Sequence, residues 1–229
     1  VLRGLACSRF AVAPQWSHFM PETYKRGWPV TDTRDHKQFV VDIKNLPGSF
    51  PTHLHGAPFW ESLGRTVATF GFLEEVLGKA IFAFTATTRY PENEAEAAFE
   101  KWLPTLERAL IDPLAGLIDA YGKAVRNNSE ATITNLDDLL GELRKASVIR
   151  NVLCHGSWRK PDADGKSIPL FVSRQKMAWD APIDIAFLQQ TQRAVAELAC
   201  EVINTITSMG WQFPGSRGPG KPIFKNTDG

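Results

Sequence analysis

Arg150, Asn151 and His155 are the residues whose types and spacing suit acid–base chemistry on a phosphodiester. They fall in the run Arg150-Asn151-Val152-Leu153-Cys154-His155, followed at once by Gly156. An imidazole, with an ordinary pKa of about 6.5, can take the proton of a ribose 2′-hydroxyl near neutrality. A guanidinium offers a planar fork of donors to phosphoryl oxygens as charge builds on them. The pair suffices for cleavage of RNA to a 2′,3′-cyclic phosphate and a free 5′-hydroxyl, with no metal and no cofactor. Each residue also has a plainer role. An Arg or a His near a helix C-terminus pairs with an acid or caps carbonyls, and a lone Asn faces solvent. Cys154 reads as a packing residue, because nothing beside it favours a thiolate.

The elements that must position these groups are helical. From Pro58, the residues Phe59, Leu63, Val67, Phe70, Leu77, Ile81 and Phe84 recur at helical steps, predicting a helix of about 30 residues with Pro58 in its first turn. Glu74 fills a gap in that stripe. Pro91 and an acidic run open a second helix through Phe99, Trp102 and Leu103, which Pro104 kinks or ends. A third segment carries Leu106, Leu110, Leu114, Leu117 and Tyr121, with Pro113 as a second irregularity, and Asn127-Asn128-Ser129 is a loop.

The motif helix starts near Thr134 or Asn135, with Asp137 and Asp138 in its first turns. Its apolar steps run through Leu139, Leu143 and Ala146 to Arg150 and Leu153, so Arg150 occupies a seam position where a Leu is expected. Gly156 is the natural stop. A small β-hairpin is expected over 157–177, turning at Pro161-Asp162-Ala163-Asp164-Gly165 and returning along Leu170-Phe171-Val172-Ser173. A last helix runs from about Pro182 to Met209. The predicted fold class is all-α: a helical bundle over 58–209 with that hairpin inserted before the last helix. Residues 1–57 form an irregular N-terminal extension containing one short candidate strand, Gln38–Ile43, and 210–229 a flexible tail in which Trp211 and Phe213 are candidates for docking.

Arg150 and His155 are five apart, roughly 140° around a helix axis. Three routes bring them to one phosphate: the long Arg side chain bends, the helix ends before His155, or a second copy of the helix supplies the partner group across a two-fold axis. Glu74 is the candidate salt-bridge partner that would orient Arg150, its alternative being a solvent-facing acid.

At Ile149-Arg150-Asn151-Val152-Leu153-Cys154-His155-Gly156-Ser157-Trp158 the chain resembles the HEPN superfamily, whose signature is an Arg, four to six residues and a His, commonly with a polar residue after the Arg. The resemblance implies an all-α HEPN-like bundle, a homodimer, and in many members a metal-independent endoribonuclease of toxin–antitoxin, phage-defence or CRISPR-associated systems. It implies His155 as the acid–base residue, Arg150 as phosphate ligand and Asn151 as orienter. It implies RNA as partner, with an antitoxin protein where one exists. Some relatives are non-catalytic dimerisation, RNA-binding or nucleotide-binding modules, and that alternative stays open.

The remaining signals are weaker. Trp158, Arg159, Lys160, Arg174 and Lys176 cluster on or beside the expected hairpin and are candidates for tracking RNA backbone, with Trp158 as a stacking surface. The plainer reading packs Trp158 on the bundle and leaves the cations solvated. His53-x-His55 lacks a nearby third ligand, and Asp162 with Asp164 is too few for calcium, so no metal site is expected.

A net charge of +1 over 229 residues gives no whole-chain pull toward nucleic acid, and 43% hydrophobic with 22% charged residues is ordinary for a globular chain. Cys7, Cys154 and Cys200 form no CxxC pair, which argues against a disulfide framework and for a reducing compartment. No transmembrane run is present, and Val1–Pro14, with Arg3 and Arg9, lacks the layout of a signal peptide, so a cytoplasmic location is expected. The chain opens on Val1, which points to a start within a longer product or to processing.

Overall fold

The structure is a computed structural model and describes residues 40–223. Five α-helices carry it: α1 (Ala57–Ala86), α2 (Ala95–Ile111), α3 (Leu114–Asn127), α4 (Leu136–His155) and α5 (Ile185–Thr207). The described residues are thus mostly helical, as the periodicity predicts. Helix α1 is the axis of the bundle and packs against the other four. Its stripe is wide for that reason: Phe70, Leu73, Leu77 and Ile81 are almost fully buried, and so is Val76 beside them. Leu188, Leu198 and Val202 of α5 and Ile118 and Tyr121 of α3 complete the core. Tyr121 donates to Thr205 Oγ1 at 3.0 Å, so its hydroxyl is satisfied although buried.

The break expected at Pro104 falls instead at Pro113. Helix α2 runs through Pro104 and takes in Leu106 and Leu110. Pro104 removes one N–H on an exposed face, so the carbonyl left without a helical partner is not sealed in the core. Before Pro113, Asp112 is extended (φ −66°, ψ 143°), as the residue ahead of a proline prefers, and α3 begins afresh. Asn128, in the following loop, is buried. Its Nδ2 donates to Phe84 O at 2.8 Å and to Thr87 Oγ1 at 3.0 Å, and its Oδ1 accepts from Glu130 N. It ties the end of α3 to the end of α1.

The β-hairpin over 157–177 does not form. Among the described residues there are only isolated bridges, and those of this region pair Ser157 with Leu170, Ser167 with Ile183 and Val172 with Ala178. Pro161 and Pro169 supply no N–H to a ladder, and Ser167 is drawn outward to Ile183. The turn itself is present: Asp162 Oδ1 accepts from Asp164 N and Lys166 N, and Gly165 takes φ +77°.

Val40–Ile43 forms no strand; Val40, Val41 and Ile43 are exposed, and Gln38 and Phe39 lie outside the described residues. The extension over 40–56 is otherwise irregular, with 3-10 turns at Ile43–Asn45 and Thr52–Leu54. The tail is folded as far as Ile223. Phe213 is buried, Gln212 N donates to Lys221 O, and the Lys221 ammonium lies 4.8 Å from the centre of the Trp211 ring.

Candidate functional site

Helix α4 does not keep one face to the core. Its first half buries Leu139, Leu140, Leu143 and Ala146, and its second half Ile149, Val152 and Leu153. The buried side swings around the axis near Ala146. Arg150 therefore stands at the margin of the core, 26% exposed at its side chain, and not in the middle of a seam. The same swing uncovers Cys154, which is exposed and not the packing residue its isolation suggested. It leaves His155 exposed and Asn151 half-buried.

Arg150 Nη2 lies 3.4 Å from Glu74 Oε1, and the Glu74 side chain is 29% exposed. Glu74 Oε1 itself is buried and accepts no hydrogen bond, so charge attraction holds the contact. The Asn151 amide and the His155 imidazole make no hydrogen bond within the described residues. Because α4 continues to His155, an early helix end is excluded as the route that unites Arg150 with His155. One helix sets them roughly 140° apart in angle and about 7.5 Å apart along the axis. The guanidinium is engaged with α1, whereas His155 faces solvent.

Gly156 stops α4, but not through a left-handed conformation: its φ is −71°. Glycine is required by proximity. A Cβ there would sit 2.6 Å from Val152 O and 2.8 Å from Pro169 Cβ. The chain after His155 is thus pressed against the last turn of its own helix.

Beyond Gly156, Trp158 sits edge-on to His55, Phe59 and Trp60, with ring centres 4.9 to 6.5 Å apart. It is half-buried in that aromatic group, which is the plainer of its two expected roles. His55, buried and stacked on Phe59 at 4.0 Å, donates from Nε2 to Arg159 O at 2.8 Å. The sequence offered His55 as a metal ligand or an ordinary loop residue, and its packing role was missed; its signal was its place just before the first turn of α1. Its partner His53 stacks on Phe50. Among the described residues no group of three His, Cys, Asp or Glu is arranged to hold a metal. Arg159, Lys160, Arg174 and Lys176 are all exposed, and none makes an ion pair with another described residue. Arg159 and Lys160 precede one turn, and Arg174 and Lys176 lie in another.

Sequence reading missed a cavity of about 610 Å³ between α1, α2 and α3, open to solvent and walled by Phe82, Leu106, Leu110 and Leu117. Glu74 and Arg150 share its wall; His155 does not. The chain matches no protein-family model, no curated protein and no solved structure. Among the described residues no helix is long and apolar enough to cross a membrane.

Proposed function

We propose that this chain is a metal-independent endoribonuclease of the HEPN type, acting as a homodimer. The observation that carries the reading is the end of α4: an exposed His155, without a partner among the described residues, about one and a half turns beyond an Arg150 that Glu74 steadies. An imidazole free of structural duties is available for proton transfer, and a guanidinium with part of its surface open is available to a phosphate.

The reaction is an in-line displacement at phosphorus. A ribose 2′-oxygen bonds to phosphorus as its proton passes to an imidazole. The bond to the 5′-oxygen breaks, and that oxygen takes a proton from water, while the imidazolium returns its own proton to solvent. Arg150 donates to the non-bridging oxygens, and Asn151 orients the substrate. Arg159, Lys160, Arg174 and Lys176 are the exposed cations that would follow the RNA backbone. A toxin or phage-defence role, with an antitoxin partner, belongs to the same reading.

The test is incubation of the purified chain with a panel of structured and unstructured RNAs in the presence of a chelator. Cleavage ending in 2′,3′-cyclic phosphate, lost in His155→Ala, is expected. Absence of cleavage, with His155→Ala binding the same RNAs equally, would leave the second reading: a non-catalytic dimerising or binding module. The Glu74 contact favours that second reading, because an Arg held by an acid already has a structural use. Expression that arrests growth, relieved by His155→Ala, separates the two in cells.

A further inference from the structure

We propose that α2 and the cavity beside it dock a basic amphipathic helix of a partner protein. Helix α2 is the least embedded of the five, with Ala109 its one buried residue. It leans on α1 through Trp102, whose Nε1 donates to Thr85 Oγ1 at 2.7 Å and whose ring meets Phe82 at 5.9 Å. Beside that inner edge runs a second stripe that nothing covers among the described residues. Phe99, Leu103 and Leu110 follow one another at helical steps and are 57%, 43% and 80% exposed, with Ile111 at 80% beyond them. Such a stripe on a surface helix costs solvation unless a partner covers it. Leu110 also forms part of the cavity wall, so stripe and cavity are one continuous surface. A cavity of about 610 Å³ accommodates a large apolar side chain as an anchor.

The charge beside the stripe selects the partner. Glu96, Glu100 and Glu107 recur at four and seven residues and flank the apolar row on one side. Among the described residues none of them is ion-paired, nor are Glu92 and Glu94 at the start of the segment. Residues 92–112 hold five Glu and one Asp against one Lys and one Arg. An apolar row bordered by unpaired carboxylates complements a helix with Leu-type residues on one face and Lys or Arg at its margins. Because Arg150 and Glu74 share the cavity wall, an anchor inserted there meets the ion pair of the candidate site. The docking proposal goes beyond the nuclease reading and does not depend on it.

The test uses the full chain and a fluorescent synthetic helix about as long as α2, with Leu at three- and four-residue steps and Lys or Arg elsewhere. Two controls carry the same residues in scrambled order, or Glu in place of each Lys and Arg. Saturable binding of the basic amphipathic peptide, weakened by salt and at least about tenfold tighter than either control, is expected. Leu110→Asp adds negative charge, so electrostatics alone would strengthen binding; the proposal requires it to weaken binding about tenfold. Glu100→Lys with Glu107→Lys lowers affinity as well. All three positions are exposed, and an unchanged thermal midpoint verifies the fold. Equal affinity for the scrambled peptide, or affinity unmoved by Leu110→Asp, overturns the proposal. A dimer of the chain that Leu110→Asp dissociates also overturns it, because the face then belongs to a second copy.

Discussion

Arg150 on α4 and Glu74 on α1 meet at 3.4 Å where the apolar faces of their two helices run out. Each is between a quarter and a third exposed, so water screens the pair only in part. The carboxylate oxygen that faces the guanidinium is shut off from solvent and takes no hydrogen bond. The contact is therefore asymmetric. Arg150 has other routes to water, whereas Glu74 Oε1 has only Arg150.

That asymmetry predicts unequal mutant costs. Arg150→Ala strips the counter-charge from a buried oxygen and should destabilise the chain by about 1–2 kcal/mol. Glu74→Gln should cost less, since the amide places no lone charge in the site. In the Glu74→Gln background, Arg150→Ala should be cheaper than in the wild type. Thermal or denaturant melts of the four chains in the cycle measure the coupling, and additive effects would show that the pair contributes nothing.

Gly156→Ala tests whether proximity or backbone conformation fixes the end of α4. At φ −71° alanine is comfortable, so a conformational argument expects no effect or a slight gain. The contacts expect the reverse. A Cβ at 2.6 Å from Val152 O and 2.8 Å from Pro169 Cβ meets backbone and a ring, neither of which yields easily. A loss of about 1–3 kcal/mol is expected. Crosspeak shifts in an NMR spectrum should be concentrated in 152–158 and 169–170.

The long-period features were the legible ones. Helix α1 was readable because a stripe from Phe59 to Phe84 has only one solution, and its observed length of 30 residues agrees. The pairing of Glu74 with Arg150 was readable because a charge at the edge of an apolar stripe needs a counter-charge. What failed depended on which neighbour a backbone group finds. Pro104 reads as a kink or a stop, but its cost depends on whether the orphaned carbonyl is shut in, and Pro104 and its neighbours lie on an exposed face. The 157–177 stretch carried hairpin residues, but the backbone of Ser167 bonds to Ile183, well beyond its own turn, and only its hydroxyl reaches back across the turn to Arg159 O. Cys154 was misplaced because the swing of the buried face at Ala146 leaves no trace in period. The convergence of Arg150 and His155 on one phosphate was beyond sequence reading, since it turns on the assembly.

Tyr121 predicts an alkaline limit to stability. Burial raises its pKa from the ordinary 10.0 to about 12, against a smaller opposing effect of the Thr205 hydrogen bond. The folded state thus keeps the phenol proton at pH values where the unfolded chain gives it up. Its contribution is complete below pH 10 and is lost as pH climbs toward 12. The loss amounts to up to about 3 kcal/mol across that window. Tyr121→Phe cannot ionise, so its melting temperature should fall less steeply between pH 10 and 12 than that of the wild type, although it starts lower for want of the Thr205 bond. Parallel slopes would mean that Tyr121 has no part in alkaline unfolding.

His155 and Arg150 should separate cleanly in a mixing experiment. His155 is exposed and has no partner among the described residues, so His155→Ala should leave stability within about 0.5 kcal/mol of the wild type while lowering cleavage by roughly 10²–10⁴-fold. Arg150→Ala should lose both. Suppose the site takes its imidazole from one protomer and its guanidinium from the other. Mixing the two inactive variants and allowing subunit exchange then makes heterodimers in which one site is intact and the other doubly defective. Random pairing places half the molecules in that form, each with one of two sites working, so about a quarter of wild-type activity should return. A site built from one protomer regains nothing, because every protomer lacks one group. Recovery would therefore assign the two residues to opposite sides of a shared cleft, and its absence in an active wild-type dimer would require Arg150 to leave Glu74 and reach the phosphate beside its own His155.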